Sequence, residues 1–208
     1  MKHSDQTPSG GRLSSLRRLQ LPVDTVKMAR YLIGKVVVHD TDAGRLSGRI
    51  VETEAYPVGD AAEHAFRGKT PRNRILFLER GHAYVYLNYG ISFLLNVTSE
   101  VAGVGGGVLL RAIDPLDGID MMTASNGTTR LADLGRGPGR LTKALRVDLA
   151  QNGSDLCAAG SLWLAASAQK VGRIGKSVRI GITRDADRLL RFYERGNIHV
   201  SGVSKLRQ

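Results

Sequence analysis

Residues 82–113 are HAYVYLNYGISFLLNVTSEVAGVGGGVLLRAI, and they contain three apolar segments of strand length. These segments are HAYVYLNY (82–89), FLLNVTS (93–99) and GVLLRAI (107–113). Each is rich in the β-branched, aromatic and aliphatic residues that favour strands. The stretch GVGGG separates the last two segments and predicts a flexible tip. Successive strands with such short connections indicate antiparallel pairing.

Further strands and a few helices are predicted on either side. The strand pattern occurs in KVVVHD (35–40), RLSGRIVETEAY (45–56), KSVRIGI (176–182) and LLRFYERG (189–196). Helices are predicted from Asp24 to Gly34, after Pro115, and after the Gly-Pro-Gly turn at 137–139. Runs of strands with helices at intervals are typical of α+β proteins. The sequence therefore predicts one compact α+β domain over residues 20–208, around a curved, mostly antiparallel sheet with short flanking helices.

The composition points to a polyanionic partner. The 208 residues include 30 Lys and Arg against 19 Asp and Glu, which gives a net charge of +11. A surplus of this size favours nucleic acid over a membrane as the partner, although a generally basic surface is an alternative. Residues 1–19 are polar and basic and predict a flexible arm.

The cysteine and histidine content limits the possible disulfides and metal sites. Cys157 is the single cysteine and the five histidines are scattered. We therefore expect no disulfide within the chain, no metal and no cofactor. No apolar run is long enough for a membrane helix, and the first residues lack the apolar stretch of a secretory signal. An intracellular protein is expected, with no membrane contact.

Polar residues interrupt three of the apolar strands. Alternation along RIVETEAY places Ile50, Glu52, Glu54 and Tyr56 on one face. Arg111 lies inside GVLLRAI and Asn96 inside FLLNVTS. Because a buried charge needs a partner, these residues predict one shared polar pocket. The alternative is an exposed sheet face that carries a Glu–Arg pair.

Three tyrosines, Tyr84, Tyr86 and Tyr89, lie within AYVYLNYG, although only 5% of the residues are aromatic. Tyr84 and Tyr86 share one strand face, whereas Tyr89 is out of register and precedes Gly90, where the chain must bend. Packing against a core or a neighbouring strand is one explanation. Stacking against nucleic-acid bases is the other.

Seven segments together carry a family resemblance. They are VETEAY, EHAFRGKTPRNR, YVYLNYG, FLLNVTS, GVLLRAIDP, GPGRLTKAL and LRFYERG. In this order they resemble the alkyladenine (3-methyladenine) DNA glycosylase family, from about Leu21 to about Ser201. The GPG turn alone also resembles a helix-hairpin-helix motif, but the strand-rich remainder does not fit an all-helical protein.

The resemblance implies a role for individual residues. Glu54 corresponds to the general base that activates water, and Arg111 to the arginine that helps to hold that water. The pocket that binds an extruded base corresponds to Tyr56, His64, Tyr86 and Asn96. Tyr89 corresponds to the residue that wedges into the duplex, and a backbone carbonyl near Ile180 to a further water ligand. From the charge pattern we add Arg72, Arg74, Arg136 and Arg140 as contacts to the DNA backbone.

The resemblance implies a monomeric, monofunctional glycosylase that flips damaged purines out of double-stranded DNA. The expected substrates are 3-methyladenine, 7-methylguanine and hypoxanthine, and base excision repair is the expected process. Neutral hypoxanthine needs a proton as it leaves, and the sequence shows no obvious acid for that step. The chain differs from the family's animal pattern at Glu63, Ala65, Ile198 and His199, which leaves the substrate range open.

Two rival functions are weighed against this one. The first is a non-catalytic nucleic-acid-binding module, which would gain nothing from a buried Glu54. The second is a glycosylase with lyase activity through a lysine Schiff base. Lys35, Lys69 and Lys143 lie in or beside the motifs, but none lies on the predicted Glu54 face.

Overall fold

The computed structural model describes residues 13–202 and shows a single domain built on a curled antiparallel sheet. Its eight strands are β1 Val36–Thr41, β2 Gly44–Tyr56, β3 Ala83–Asn88, β4 Ser92–Thr98, β5 Gly107–Asp117, β6 Leu162–Ala165, β7 Ile174–Ser177 and β8 Arg191–Glu194. The α-helices are α1 Thr25–Leu32, α2 Ile119–Asn126, α3 Leu131–Leu134 and α4 Pro138–Ala144, with short 3₁₀ helices at Arg18–Gln20, Arg74–Phe77 and Leu149–Gln151. The predicted α+β class is confirmed.

Strand β2 lies at the centre of the sheet. The order is β3-β4-β5-β2-β1-β6, and β8 pairs with both β2 and β7. One edge of β2 pairs with β5, while its other edge pairs first with β1 and then with β8 over residues 52–54. Side chains from the second half of β2 therefore meet side chains of both β5 and β8.

Helix α1 covers one face of the sheet. Asp24 Oδ1 accepts a hydrogen bond from the Lys27 amide over 2.7 Å, which caps the helix as its sequence predicts. Met28, Ala29 and Leu32 are fully buried in the main core, and Thr53 donates a hydrogen bond from β2 to the Ala29 carbonyl. This packing leaves the opposite face of β2 for other residues.

A β-bulge corrects the predicted face of Ile50. Opposite β5, Ile50 pairs with Ile113 and Glu52 pairs with Ala112, so Val51 is an extra residue on β2. A bulge shifts the alternation by one position. Ile50 consequently packs in the main core, and its predicted position beside the two glutamates is wrong.

Three predicted elements have different ends. Strand β5 continues through Pro115 to Asp117, so the predicted helix starts only at Ile119. The predicted strand 176–182 is found at 174–177 instead, and the Ile180 amide bonds the Glu54 side chain. Strand β6 was not predicted.

The glycine-rich connection between β4 and β5 packs into the domain instead of forming a tip. Gly105 and Gly106 are buried. A Cβ atom on Gly105 would lie 2.5 Å from the Cβ of Ala65 and 2.9 Å from the Phe77 ring. Glycine is needed there for close approach, not for flexibility.

The predicted arm lies partly outside the described residues. Residues 13–19 are attached to the domain: Leu16 is 2% exposed, and its amide donates to the Leu164 carbonyl over 2.8 Å. The arm stays a prediction for residues 1–12 only. Within residues 13–202, no helix is long and apolar enough to cross a membrane.

Candidate active site

Glu54 is held by two hydrogen bonds and one ion pair, from three parts of the chain. Its Oε2 atom lies 3.2 Å from Arg111 Nη1 and accepts a hydrogen bond from the Tyr56 hydroxyl over 3.0 Å. Its Oε1 atom accepts a hydrogen bond from the Ile180 amide over 2.8 Å. The Glu54 side chain is completely buried, and its direction is fixed by these partners.

A second buried carboxylate stands behind the first. Glu52 Oε1 accepts hydrogen bonds from Arg111 Nε over 3.0 Å and from Arg191 Nε over 2.6 Å. The Ser201 amide and hydroxyl also donate to Glu52, over 2.7 and 2.9 Å. Burial opposes ionisation of Glu52, but Arg111 and Arg191 hold its pKa below the ordinary value.

Arg111 connects the two carboxylates. Burial alone would lower the pKa of Arg111, but the charges of Glu54 and Glu52 raise it above its ordinary value. The guanidinium therefore stays charged while its donors point to fixed positions. Sequence predicted Arg111 as a partner for one glutamate; in the structure it serves both.

A cavity of about 710 Å³ opens beside this group. Tyr56, Arg111 and Ile180 form part of its wall, and these are the residues that bond Glu54. Glu54 itself lies directly behind that wall. The volume is in the range of small-molecule sites and suits one flat heterocycle with its sugar.

Aromatic rings form another part of the cavity wall. The His64 and Tyr86 ring centroids lie 4.6 Å apart, and those of Tyr84 and Tyr86 lie 5.4 Å apart. His64 Nδ1 lies 3.0 Å from the Tyr84 hydroxyl. Desolvation lowers the pKa of His64, and the charge of Arg72 lowers it further, so the imidazole is neutral at pH 7. The rings offer flat faces for stacking.

The amide of Asn96 is fixed at the base of the cavity. Asn96 is 7% exposed, and its Nδ2 donates a hydrogen bond to the Tyr84 carbonyl over 3.2 Å. Tyr56 is fixed from behind by the Arg179 guanidinium, 4.6 Å from the ring centroid. Burial, followed by the Glu54 charge, raises the pKa of Tyr56, so its hydroxyl remains a donor.

Tyr89 lies at the tip of the β3–β4 hairpin and also borders the cavity. Its ring is 87% exposed, with Ile91 beside it at 83%. Tyr89 and Gly90 have φ values of +48° and +70°, and the Ile91 amide donates to the Asn88 carbonyl over 2.9 Å. Two successive positive φ values are those of a type I′ hairpin turn. A tyrosine in this conformation costs about 1 kcal/mol, which packing at the exposed tip does not offset.

The four predicted DNA-backbone arginines differ in exposure. Arg72, Arg74 and Arg140 are exposed, and Arg72 also lies over the Tyr86 ring, 5.9 Å from its centroid. Arg136 has an 18% exposed side chain, paired with Asp133 over 2.8 Å and bonded to the Ile198 carbonyl over 2.6 Å. Three of the four side chains are thus exposed to solvent.

The lysines lie elsewhere. In the part of the chain that the structure describes, the cavity wall contains no lysine. Lys35 and Lys69 each lie over an aromatic ring, and Lys143 borders a separate cavity of about 440 Å³. Across residues 13–202, no three His, Cys, Asp or Glu side chains are grouped so as to hold a metal ion.

The family model for methylpurine-DNA glycosylase matches residues 20–198. The chain belongs to the methylpurine-DNA glycosylase family. The resemblance inferred from the sequence is thereby confirmed.

Similar proteins occur in bacteria and archaea. A relative from Mesorhizobium japonicum is 64% identical, with 93% of each chain covered. One from Paraburkholderia phytofirmans is 50% identical, over 92% of this chain and 90% of its own. One from Methanoculleus marisnigri is 43% identical, over 86% of this chain and 94% of its own. All three carry the name "Putative 3-methyladenine DNA glycosylase".

In this methylpurine-DNA glycosylase family member, most residues predicted for the site come together. Around one cavity the structure gathers Tyr56, His64, Tyr86, Tyr89, Asn96 and Arg111, with Glu54 behind its wall. The backbone of Ile180 also reaches the site, but through its amide, which bonds Glu54. The predicted carbonyl contact to water stays a prediction.

Sequence reasoning missed several residues of the site. Arg191 and Arg179 lie in apolar strand-like segments, as Arg111 does, so the signal that found Arg111 could have found them. Tyr84 shares a strand face with Tyr86, which was noted without a pocket role. Glu63 was noted only as a difference from the family's animal pattern, and no role in the site was predicted for it.

Proposed function

We propose that this protein is a monofunctional DNA glycosylase that hydrolyses the N-glycosidic bond of alkylated or deaminated purines in double-stranded DNA. It would thereby start base excision repair. The observation that best supports this proposal is the position of Glu54. It is a buried carboxylate behind the wall of an aromatic cavity, fixed by two hydrogen bonds and an ion pair with Arg111. A surface that only binds nucleic acid has no use for such a group.

The cavity and the hairpin tip support base flipping. A base within a duplex is out of reach of the buried carboxylate, so it must leave the stack at a cost of a few kcal/mol. Stacking on the rings of Tyr86, His64 and Tyr56 returns about 1–3 kcal/mol per base. Tyr89, exposed at the edge of the same cavity, would fill the gap in the duplex.

Glu54 would act as the general base. As the C1′–N bond lengthens, the sugar gains oxocarbenium character, and water attacks C1′ while its proton passes to Glu54. Tyr56 and Arg111 now occupy Oε2. The Tyr56 hydroxyl therefore has to yield its hydrogen bond when sugar and water enter, which makes the carboxylate available only in the loaded site.

Cationic bases can be bound and released by this cavity without a further catalytic group. Methylated purines such as 7-methylguanine carry a positive charge that the aromatic faces attract. They leave as neutral molecules once the electron pair of the C1′–N bond returns to the ring. The absence of lysine from the described cavity wall favours simple hydrolysis over a Schiff-base lyase.

The test is direct measurement of the product. Purified protein is incubated with dimethyl sulfate-treated duplex DNA, and the released bases are separated by chromatography, with untreated DNA as control. We expect free 3-methyladenine and 7-methylguanine, strands that break only in hot alkali, and no protein–DNA adduct after borohydride. If neither base is released, the proposal is refuted. A trapped protein–DNA adduct would instead establish a glycosylase with lyase activity.

A further inference from the structure

Glu63 is a buried carboxyl group of the cavity that the mechanism above leaves unused. It lies in the turn after β2, immediately before His64, and it lines the cavity. Only 8% of the residue is exposed. Its Oε1 atom accepts a hydrogen bond from the Ala65 amide over 3.3 Å.

No cation neutralises this carboxyl group. Among residues 13–202, no Arg, Lys or His side chain lies within ion-pair distance of Glu63. The two nearby arginines form ion pairs with Asp60 instead, Arg179 over 2.9 Å and Arg188 over 2.7 Å. Burial without a counter-charge favours the protonated form of a carboxyl group.

Burial is the main influence on the ionisation of Glu63. Burial raises the pKa of Glu63 to about 8; the Asp60 charge adds to this, while the Ala65 and His64 amides and the Arg179 charge oppose it. At pH 7 the side chain is therefore a carboxylic acid and a hydrogen-bond donor, as other catalytic carboxyl groups in apolar sites are.

The other titratable groups on this wall cannot supply a proton near neutral pH. Burial raises the pKa of Tyr84 to about 12 and also raises the pKa of Tyr86. His64 is neutral, and its Nδ1 atom is engaged with the Tyr84 hydroxyl. Of these four groups, Glu63 is the one suited to give up a proton.

A neutral purine needs such a donor. Hypoxanthine would leave as an anion unless one of its acceptor atoms gains a proton as the bond breaks, whereas a methylated cationic base needs none. We propose that Glu63 is the acid that protonates departing neutral purines, so that the same cavity releases deaminated as well as alkylated bases. This inference rests on the proposed glycosylase function.

The step is balanced between two carboxyl groups. The C1′–N bond breaks and its electron pair goes to the purine, while the Glu63 proton passes to an acceptor atom of the base. Water forms the new C1′–O bond and gives its proton to Glu54. The products are a neutral purine, an abasic sugar, Glu63 carboxylate and Glu54 carboxylic acid, and proton exchange with solvent restores the starting state.

The test compares two substrates in one protein. Glu63→Gln keeps the size and the hydrogen-bonding capacity of the protonated acid but has no proton to transfer. Single-turnover release of hypoxanthine and of 7-methylguanine is measured for wild type and variant, with melting temperature as a control for folding. Since general acids contribute about 100- to 10,000-fold, the ratio of the hypoxanthine to the 7-methylguanine rate should fall at least about 100-fold.

The pH profile provides a second readout. In the wild type, hypoxanthine release should fall as pH rises through about 8, because Glu63 then loses its proton. This descending limb of the pH profile should be missing in Glu63→Gln. Asp42→Asn, which removes an exposed carboxyl group in the β1–β2 turn, should keep both the ratio and the limb.

The remaining outcomes overturn the inference. An equal loss on both substrates would show a structural role, and an unchanged ratio would show no role. Release of 7-methylguanine but not hypoxanthine by the wild type would remove the inference and leave the proposed function standing. Release of neither base would remove both.

Discussion

Arg111 approaches Glu54 to 3.2 Å, between Nη1 and Oε2, and both side chains are buried. The same guanidinium binds Glu52 through Nε over 3.0 Å. One cation therefore fixes two carboxylates, of which only Glu54 lies against the residues of the cavity wall. This arrangement separates a reacting carboxylate from a supporting one, and the two can be tested independently.

Glu54→Gln should abolish chemistry and spare binding. The amide keeps the size of the side chain and can still accept the Ile180 hydrogen bond, but it cannot take a proton from water. Base release in single turnover should fall at least about 100-fold, the usual scale for a general base. Affinity for duplexes that contain a damaged base should stay within about threefold of the wild-type value. Near-normal turnover would contradict the role of Glu54 as general base.

Glu52→Gln should slow base release although Glu52 touches no substrate. Without the Glu52 charge, Arg111 and Arg191 lose their shared partner, and Arg111 is no longer held against Glu54. We expect the single-turnover rate to fall about tenfold or more, with affinity for damaged DNA unchanged, which identifies a positioning residue. The melting temperature should fall as well, because breaking a buried ion pair costs about 3–5 kcal/mol.

Glu194→Gln provides the matched control for that experiment. Glu194 forms a buried ion pair with Arg49, outside the cavity wall. The substitution should destabilise the fold to a similar degree and leave the rate per folded molecule unchanged. If the two variants lose activity in equal proportion, the loss reflects stability and Glu52 has no positioning role.

The sequence predicted strands β3 and β4 and several site residues because both depend on local pattern. Strands β3 and β4 were placed within about one residue, and Asn96 and Arg111 were recognised as polar residues inside apolar segments. The bulge at Val51 could not be predicted from the sequence, because the register of β2 is set by its partner strand β5. The role of Glu63 could not be predicted either. Its raised pKa follows from its burial and from the pairing of Arg179 with Asp60, and both depend on the tertiary structure.

DNA affinity should depend steeply on salt, because each arginine–phosphate contact releases counterions. Replacing Arg72, Arg74 or Arg140 by serine should each reduce the slope of log K against log salt by about 1. Arg136→Ser should reduce it less, since that side chain is only 18% exposed and is held by Asp133 over 2.8 Å. Arg45→Ser, on the β1–β2 hairpin, serves as control. Affinity that hardly changes between about 50 and 200 mM salt would contradict a phosphate-contacting face.

Tyr89→Ser should separate extrusion of the base from its capture. Tyr89 is 87% exposed, so the substitution removes little buried area and should leave the melting temperature almost unchanged. Without the wedge, release should slow most for a well-paired hypoxanthine and least for a mismatched one, since unpairing then costs less. Tyr86→Ser should instead slow both duplexes alike, because the lost ring stacks on the captured base. Single-turnover excision of both duplexes by both variants provides the measurement. If Tyr89→Ser unfolds the protein or slows the two duplexes equally, Tyr89 is not the wedge.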